Sequence, residues 1–127
     1  MSTTILVVED NPANMRLAVL LLKNAGYDVL TETSAEAGLA TARAARPDLI
    51  LMDIQLPGMD GLAAIAQLRR DDITRSIPVI ALTALAMKGD EERIRAAGFD
   101  AYIGKPMRYK EFLACVELLL PGARAVP

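Results

Sequence analysis

The sequence predicts a single α/β domain built on an open, doubly wound parallel sheet. Short apolar segments alternate along the chain with longer segments whose apolar residues recur every three or four positions. Wholly apolar segments are typical of strands buried on both faces, and five successive β–α units predict a parallel sheet with helices on both sides. Right-handed crossovers then give the doubly wound arrangement. A length of 127 residues fits one domain.

Five strands are predicted, and they differ in strength. Three are wholly apolar, the second is weaker and is expected nearer an edge of the sheet, and the fifth is short. In chain order they are Ile5–Val8, Asp28–Thr31, Leu49–Met52, Val79–Leu82 and Ala101–Ile103.

A predicted helix follows each strand, and several helix ends carry start or stop residues. Pro12 begins the first helix and Gly26 follows it, while Ser34 is the predicted N-cap of the second and Pro47 ends it. The predicted helices are Pro12–Ala25, Ala35–Ala45, Gly61–Arg70, Gly89–Ala97 and Arg108–Leu120. In the fourth helix, Glu91 and Arg95 have the spacing of an i,i+4 ion pair.

Composition excludes several classes of function. The net charge is −2 and the chain has no basic run, so we expect neither nucleic-acid binding nor attachment to an anionic membrane. Signal-peptide and membrane-spanning patterns are missing, and the lone Cys115 is expected in the core without a disulfide partner, so we expect a cytoplasmic, reduced domain. The chain has no histidine, which excludes histidine-based catalysis and histidine metal sites.

Polar residues stand at the ends of four predicted strands. They are Glu9, Asp10, Asp53, Thr83 and Lys105. Each has an ordinary interpretation, such as a helix cap for Asp10 or a solvated loop acid for Asp53. In a doubly wound sheet, however, the binding crevice lies beyond the carboxyl ends of the strands. Five such residues on one edge therefore indicate a functional site.

The chemistry of these side chains favours a divalent cation and a phosphoryl group. Three clustered carboxylates repel one another unless a cation joins them, and few hard oxygen ligands with room for water suit Mg²⁺, or Mn²⁺. Asp53 could then attack a phosphoryl group to give an aspartyl phosphate. Lys105 would neutralise the phosphoryl oxygens, and Thr83 would donate a hydrogen bond to one of them.

Four stretches resemble the receiver domain of two-component response regulators. They are Val8–Asn11, Leu51–Gly61, Ala81–Ala84 and Lys105–Pro106, and they fall in the order and spacing of that family. The resemblance implies a flavodoxin-like (βα)5 fold with strand order 2-1-3-4-5. It also implies a receiver domain over residues 1–120 and a short tail over 121–127.

The resemblance assigns a role to each residue at the strand ends. It implies that Asp53 is the phosphoacceptor and that Asp10, Asp53 and the backbone carbonyl of Gln55 ligate Mg²⁺ (or Mn²⁺). It implies that Glu9 acts through a metal-bound water.

Three further implications concern the phosphoryl group, the peptide beside it and the response to phosphorylation. The resemblance implies that Thr83 and Lys105 contact the phosphoryl group, that the Lys105–Pro106 peptide is cis, and that Thr83 and Tyr102 form a switch. The switch changes a face formed by the fourth helix, the fifth strand and the fifth helix. That face comprises roughly Met87–Arg95, Ala101–Ile103 and Arg108–Leu119.

Three classes of function stay open. The first is a single-domain response regulator that receives its phosphoryl group from a sensor histidine kinase or a histidine phosphotransfer protein and then binds another protein, as a monomer or a phosphorylation-dependent dimer. The second is a phosphorelay shuttle or phosphate sink. The third is a Mg²⁺-dependent phosphatase, which is disfavoured because Gln55 stands where such enzymes carry a second acid. We therefore expect a phosphoacceptor and not a conventional enzyme.

The segment Ala84–Arg95 bears on the first class, because it is similar to a single-domain regulator of cell division that binds sensor kinases. Similar segments occur in the receiver domains of hybrid histidine kinases, so a fragment of such a kinase is an alternative. The Met1-Ser2 start favours a complete chain.

Overall fold

The computed structural model describes residues 3–84, 88–105 and 107–120, and it contains five strands and five helices in strict alternation. The predicted tail at 121–127 lies outside the described residues. Every helix and strand predicted from the sequence is present, and each end agrees to within one residue. In chain order they are β1 (Thr4–Val8), α1 (Pro12–Asn24), β2 (Asp28–Glu32), α2 (Ala35–Ala45), β3 (Leu49–Asp53), α3 (Gly61–Arg70), β4 (Val79–Thr83), α4 (Lys88–Ala97), β5 (Ala101–Gly104) and α5 (Tyr109–Leu119).

The five strands form one parallel sheet in the order β2-β1-β3-β4-β5. This order confirms the predicted doubly wound α/β fold, and β2 is an edge strand as its weaker pattern indicated. The strand order reverses between β1 and β3, so the crevice expected of such sheets lies beyond the carboxyl ends of these two strands.

Two apolar layers hold the helices on the sheet. One lies between the sheet and helices α2, α3 and α4, and includes Ile50 and Ile65; the other lies under α1 and α5, and includes Leu22 and Phe112. β3 and β4 are buried along their whole length. Each fully buried Leu, Ile or Phe contributes roughly 1.5–3 kcal/mol to the free energy of folding, so the strands are fixed and their ends form a rigid platform.

In the described part of the chain, side-chain caps start three of the helices. Asn11, Ser34 and Asp60 each accept a hydrogen bond from the backbone N–H three residues later, at 3.0, 3.2 and 2.9 Å. Ser34 is the predicted cap of α2. The ordinary interpretation of Asp10 as the cap of α1 is wrong, because its neighbour Asn11 fills that position. The exposed carboxylate of Asp10 is therefore not used in starting the helix.

None of the helices in the described part of the chain combines the length and the apolarity needed to cross a membrane.

Cys115 lies half-buried on α5, and burial raises the pKa of its thiol, an effect that the charge of Arg95 only partly offsets. Because the thiolate is the reactive form, we expect iodoacetamide at mildly alkaline pH to alkylate Cys115 at least about tenfold more slowly in the native chain than in urea. Mass spectrometry of samples quenched over time measures both rates. Equal rates would contradict the assignment of this thiol to the core.

Candidate functional site

The carboxyl ends of four strands meet at one edge of the sheet, because neighbouring strands are in register there. Val8 lies opposite Met52, Asp53 opposite Leu82, and Thr83 opposite Gly104. The residues at and just beyond these ends therefore converge on one small volume.

This register brings the three predicted carboxylates together. Glu9, Asp10 and Asp53 each place a carboxylate oxygen within 4.8 Å of the other two. Glu9 and Asp53 are buried, with 0% and 3% of their surface exposed, while Asp10 is exposed. The ordinary interpretation of Asp53 as a solvated loop acid is therefore wrong, and one member of the cluster opens to solvent.

Lys105 lies between the two buried carboxylates. Its Nζ is 2.8 Å from Oε1 of Glu9 and 2.8 Å from Oδ2 of Asp53, and only 15% of its side chain is exposed. Its backbone N–H donates to the carbonyl of Thr83 at 2.8 Å, which fixes the residue to the end of β4. Burial alone would lower the pKa of Lys105, but its hydrogen bond to Asp53 and the negative charges of Asp53 and Glu9 outweigh burial and raise that pKa. The ammonium group thus stays charged and compensates the two acids.

Glu9 is the most deeply buried acid of the site. Its Oε2 accepts a hydrogen bond from the backbone N–H of Asn11 at 3.1 Å. Among the described residues no donor reaches its Oε1 with hydrogen-bonding geometry, although Nζ of Lys105 is close to it. Burial and the neighbouring Asp53 raise the pKa of Glu9, against the lowering effect of Lys105. A buried carboxylate oxygen that accepts no hydrogen bond can still take a further electropositive partner.

Asp53 is held on both oxygens. Its Oδ1 accepts a hydrogen bond from the backbone N–H of Gln55 at 2.9 Å, and its Oδ2 accepts one from Nζ of Lys105 at 2.8 Å. Two donors fix the orientation of the carboxylate, and the first places the peptide of Gln55 beside it. The side chain is therefore positioned before any ligand arrives.

The loop after β3 is packed tightly against the start of α3 at Gly61. A Cβ atom on Gly61 would lie 2.7 Å from the carbonyl oxygen of Asp53 and 2.8 Å from Cα of Ile54. The Gly61 N–H also donates to the carbonyl of Ile54 at 2.9 Å. The missing side chain lets the helix lie directly against the backbone that carries Asp53.

We expect Gly61→Ala to lower the free energy of unfolding by about 2 kcal/mol, because the added methyl must displace backbone atoms. Gly89→Ala is the matched control: a Cβ there meets nothing within 4 Å, and alanine is the better helix former. Thermal melts without added metal should show a fall of several degrees for Gly61→Ala and none for Gly89→Ala. Equal melting temperatures would show that the loop has room to move.

Thr83 and Tyr102 lie on the same face of the sheet. Thr83 is fully buried at the end of β4, and Tyr102 is half-buried on β5, where it packs against the core under α4. The Tyr102 hydroxyl donates to Oε2 of Glu91 on α4 at 3.3 Å. Sequence reasoning predicted only the pair of Glu91 with Arg95, which is present at 3.6 Å, and missed the contact with Tyr102.

Two predicted features fall on residues outside the described ranges. They are Pro106, with the predicted cis peptide after Lys105, and Met87 at the start of the predicted interaction face.

The arrangement fits a Mg²⁺ ion. Its donors are carboxylate oxygens, the hard ligands this ion prefers. Asp10 is exposed, and the buried Oε1 of Glu9 accepts no hydrogen bond from the described residues. The adjoining ammonium and the buried hydroxyl of Thr83 suit an anion placed next to the cation. The site can therefore hold a cation and a phosphoryl group side by side.

Comparison with known proteins now identifies the family. The sequence profile described as "Response regulator receiver domain" matches residues 5–117. The chain belongs to the response regulator receiver family. Its acidic cluster lies at the phosphoacceptor site of that family, and the chain is a receiver domain of two-component signalling.

The chain is also similar to curated relatives over nearly its whole length. It is 47% identical over 123 residues to the polar-differentiation response regulator DivK of Brucella anthropi, covering 97% of this chain and 100% of the relative. The DivK of Brucella ovis is 46% identical over the same shares of the two chains. The chain is therefore a DivK-like receiver.

Solved structures agree with this assignment. The receiver domain of the sensor histidine kinase PA1611 of Pseudomonas aeruginosa superposes with a TM-score of 0.86 at 35% identity, covering 94% of this chain and 98% of the other. That structure has a magnesium ion coordinated in its active-site cleft. The chemotaxis response regulator CheY4 of Vibrio cholerae superposes with a TM-score of 0.89 at 25% identity, covering 94% and 100%.

Proposed function

We propose that this receiver is a phosphorylation-controlled binding module. Asp53 accepts a phosphoryl group from a sensor histidine kinase or a histidine phosphotransfer protein, and the phosphorylated form binds a partner protein through the face of α4, β5 and α5. The observation that carries the proposal is the buried Asp53 carboxylate, oriented by two donors and in contact with the Lys105 ammonium.

The transfer forms one bond and breaks one. A carboxylate oxygen of Asp53 attacks the phosphorus, a new P–O bond forms, and the electron pair of the broken bond leaves on the imidazole nitrogen of the donor, or on the acetate oxygen when acetyl phosphate is the donor. The Lys105 ammonium, which is already in contact with the Asp53 carboxylate, stabilises the negative charge of the phosphoryl oxygens once they are bound there. Thr83 donates its hydroxyl proton in a hydrogen bond to one of these oxygens. The donor supplies its own leaving group, so no general acid is needed from the chain.

Mg²⁺, or Mn²⁺, would supply positive charge between the carboxylates and the phosphoryl oxygens. Asp10, Asp53 and the backbone carbonyl of Gln55 would hold the ion directly, and Glu9 would act through water. The close approach of the three carboxylates and the magnesium ion in the related Pseudomonas receiver support this assignment.

The DivK relatives, which this chain matches over their full length, are response regulators, and the output proposed for this chain is binding to a partner protein. We infer that the chain is a phosphoacceptor and not an enzyme for free substrates. Gln55, in the position where a phosphatase of the aspartyl-phosphate class carries a second acid, leaves no group there to protonate a leaving alcohol.

The proposed switch, formed by Thr83 and Tyr102, couples the acidic site to the face of α4, β5 and α5. When the phosphoryl group draws Thr83 towards Asp53, the space beside Thr83 opens to Tyr102, because both side chains lie on one face of the sheet. The movement of Tyr102 changes the surface between β5 and α4.

The test is the intact mass of the chain after incubation with acetyl phosphate and Mg²⁺. We expect one phosphoryl adduct, labile to hydroxylamine as an acyl phosphate should be, and no adduct when EDTA replaces Mg²⁺. No adduct under either condition would contradict the proposed function. An adduct that forms equally well in EDTA would contradict the role given to the metal.

A further inference from the structure

The hydroxyl of Tyr102 is held by a charged acceptor on α4. It donates to Oε2 of Glu91 at 3.3 Å, across the boundary between the sheet and the helix. The Tyr102 ring packs on the apolar layer that contains Ile94 and Phe99, so its hydroxyl lies at the edge of that layer. A hydrogen bond from a phenol to a carboxylate is charge-assisted, and at 3.3 Å this one is a long bond of that kind.

Glu91 is itself held in place by its helix. Its Oε1 lies 3.6 Å from Nε of Arg95, one turn further along α4. Nη1 of Arg95 donates to the carbonyl of Asp100, the residue before β5, at 3.2 Å. Two contacts therefore join α4 to this part of the sheet: Glu91 with Tyr102 on β5, and Arg95 with Asp100, the residue before β5. The position of the phenol and the position of α4 are coupled by these contacts.

The sheet register places a second destination for Tyr102 on the same face. Ala81 pairs with Tyr102 and Thr83 pairs with Gly104, so Thr83 lies on the same face as Tyr102, one diagonal step nearer the acidic site. Swinging towards Thr83 would take the phenol along the strand, towards the acidic site. A phenol moved to the space beside Thr83 would leave its present position against Glu91.

We propose that Glu91 is a positioning residue for Tyr102, which holds the phenol on α4 in the unmodified chain and is released when Asp53 is phosphorylated. The inference rests on the proposed function, since it concerns how the same site is regulated. Because the Glu91 contact exists in one state only, it biases the chain towards that state and opposes binding of a phosphoryl group. Release leaves the Glu91 carboxylate and Arg95 free to contact a partner on the surface of α4.

The experiment measures the affinity of the metal-loaded chain for beryllofluoride, which mimics a phosphoryl group on a carboxylate, by isothermal titration calorimetry. Glu91→Ala removes the acceptor and should lower the Kd about two- to tenfold, the range expected for one lost hydrogen bond. Glu92→Ala is the matched control, because it removes the same charge from the next, exposed position of α4 and should leave the Kd unchanged. Thermal melts confirm that each variant is folded.

Tyr102→Phe makes the test specific to the hydrogen bond. It keeps the ring and removes the donor, so Glu91→Ala in the Tyr102→Phe background should produce no further change in Kd. The inference is overturned if Glu92→Ala lowers the Kd as much as Glu91→Ala does. It is also overturned if Glu91→Ala lowers the Kd equally in the wild-type and Tyr102→Phe backgrounds. If the wild-type chain binds beryllofluoride and Glu91→Ala has the same Kd, this inference is wrong but the proposed function stands. If the wild-type chain does not bind beryllofluoride, both the proposed function and this inference are wrong.

Discussion

Replacement of Asp53 by asparagine is expected to abolish phosphoryl uptake from acetyl phosphate. The amide keeps the shape of the side chain and can still accept a hydrogen bond from the N–H of Gln55, but it lacks the anionic oxygen that attacks phosphorus. Loss of a covalent nucleophile lowers the rate by at least roughly 10³-fold. Intact mass recorded over time measures the effect as the disappearance of the adduct.

The control for this substitution is Asp60→Asn, in the same loop. Asp60 caps α3 through its Oδ1, which accepts from the N–H of Ala63 at 2.9 Å, and asparagine caps a helix equally well. Asp60→Asn should therefore take up phosphate at the wild-type rate. An adduct that persists in Asp53→Asn would move the phosphoacceptor to another acid, which peptide mapping of the adduct would then locate.

The fold could be predicted because burial and sequence pattern agree along the whole sheet. A strand covered by helices on both faces has no solvent side, and the segments at 49–52 and 79–82 are accordingly apolar at every position. Ser34 and Gly26 mark helix ends for reasons that act within a few residues. Such local signals need no knowledge of the tertiary structure.

The membership of the site could also be predicted, because parallel strands place all their carboxyl ends at one edge. The sequence could not predict how deeply each of these side chains is buried or which of them also caps a helix. Asp10 and Asn11 are adjacent and both are good helix caps, so only the structure decides that Asn11 caps α1 and Asp10 remains at the site. The burial of Glu9 likewise depends on the elements packed around it.

Contacts between distant segments are the part that sequence reasoning missed. The sequence predicts Lys105 at the same edge of the sheet as Glu9 and Asp53, but it does not predict the ion pairs of Lys105 with both acids. Tyr102 meets Glu91 through the angle at which α4 lies on the sheet, and no spacing in the sequence encodes that angle. The role of Lys105 as a counter-ion can be tested directly.

Lys105→Met is expected to lower the free energy of unfolding by about 3 kcal/mol in EDTA, which for a domain of this size corresponds to a fall of roughly 10 °C in Tm. Methionine retains the apolar stem but leaves the buried carboxylates of Glu9 and Asp53 without the ammonium that lies 2.8 Å from each. Lys110→Met, at an exposed position of α5, is the control and should melt like the wild type.

Added Mg²⁺ should raise the Tm of Lys105→Met more than that of the wild type. In the wild type the ion competes with an ammonium that lies 2.8 Å from two of the three acids. In the variant the ion meets carboxylates without that positive charge, so it binds more tightly and stabilises the native state by a larger amount. Equal shifts in the two proteins would mean that Lys105 does not oppose the cation. The same melts thus separate two contributions to the stability of the acidic cluster: that of Lys105, measured in EDTA, and that of added Mg²⁺.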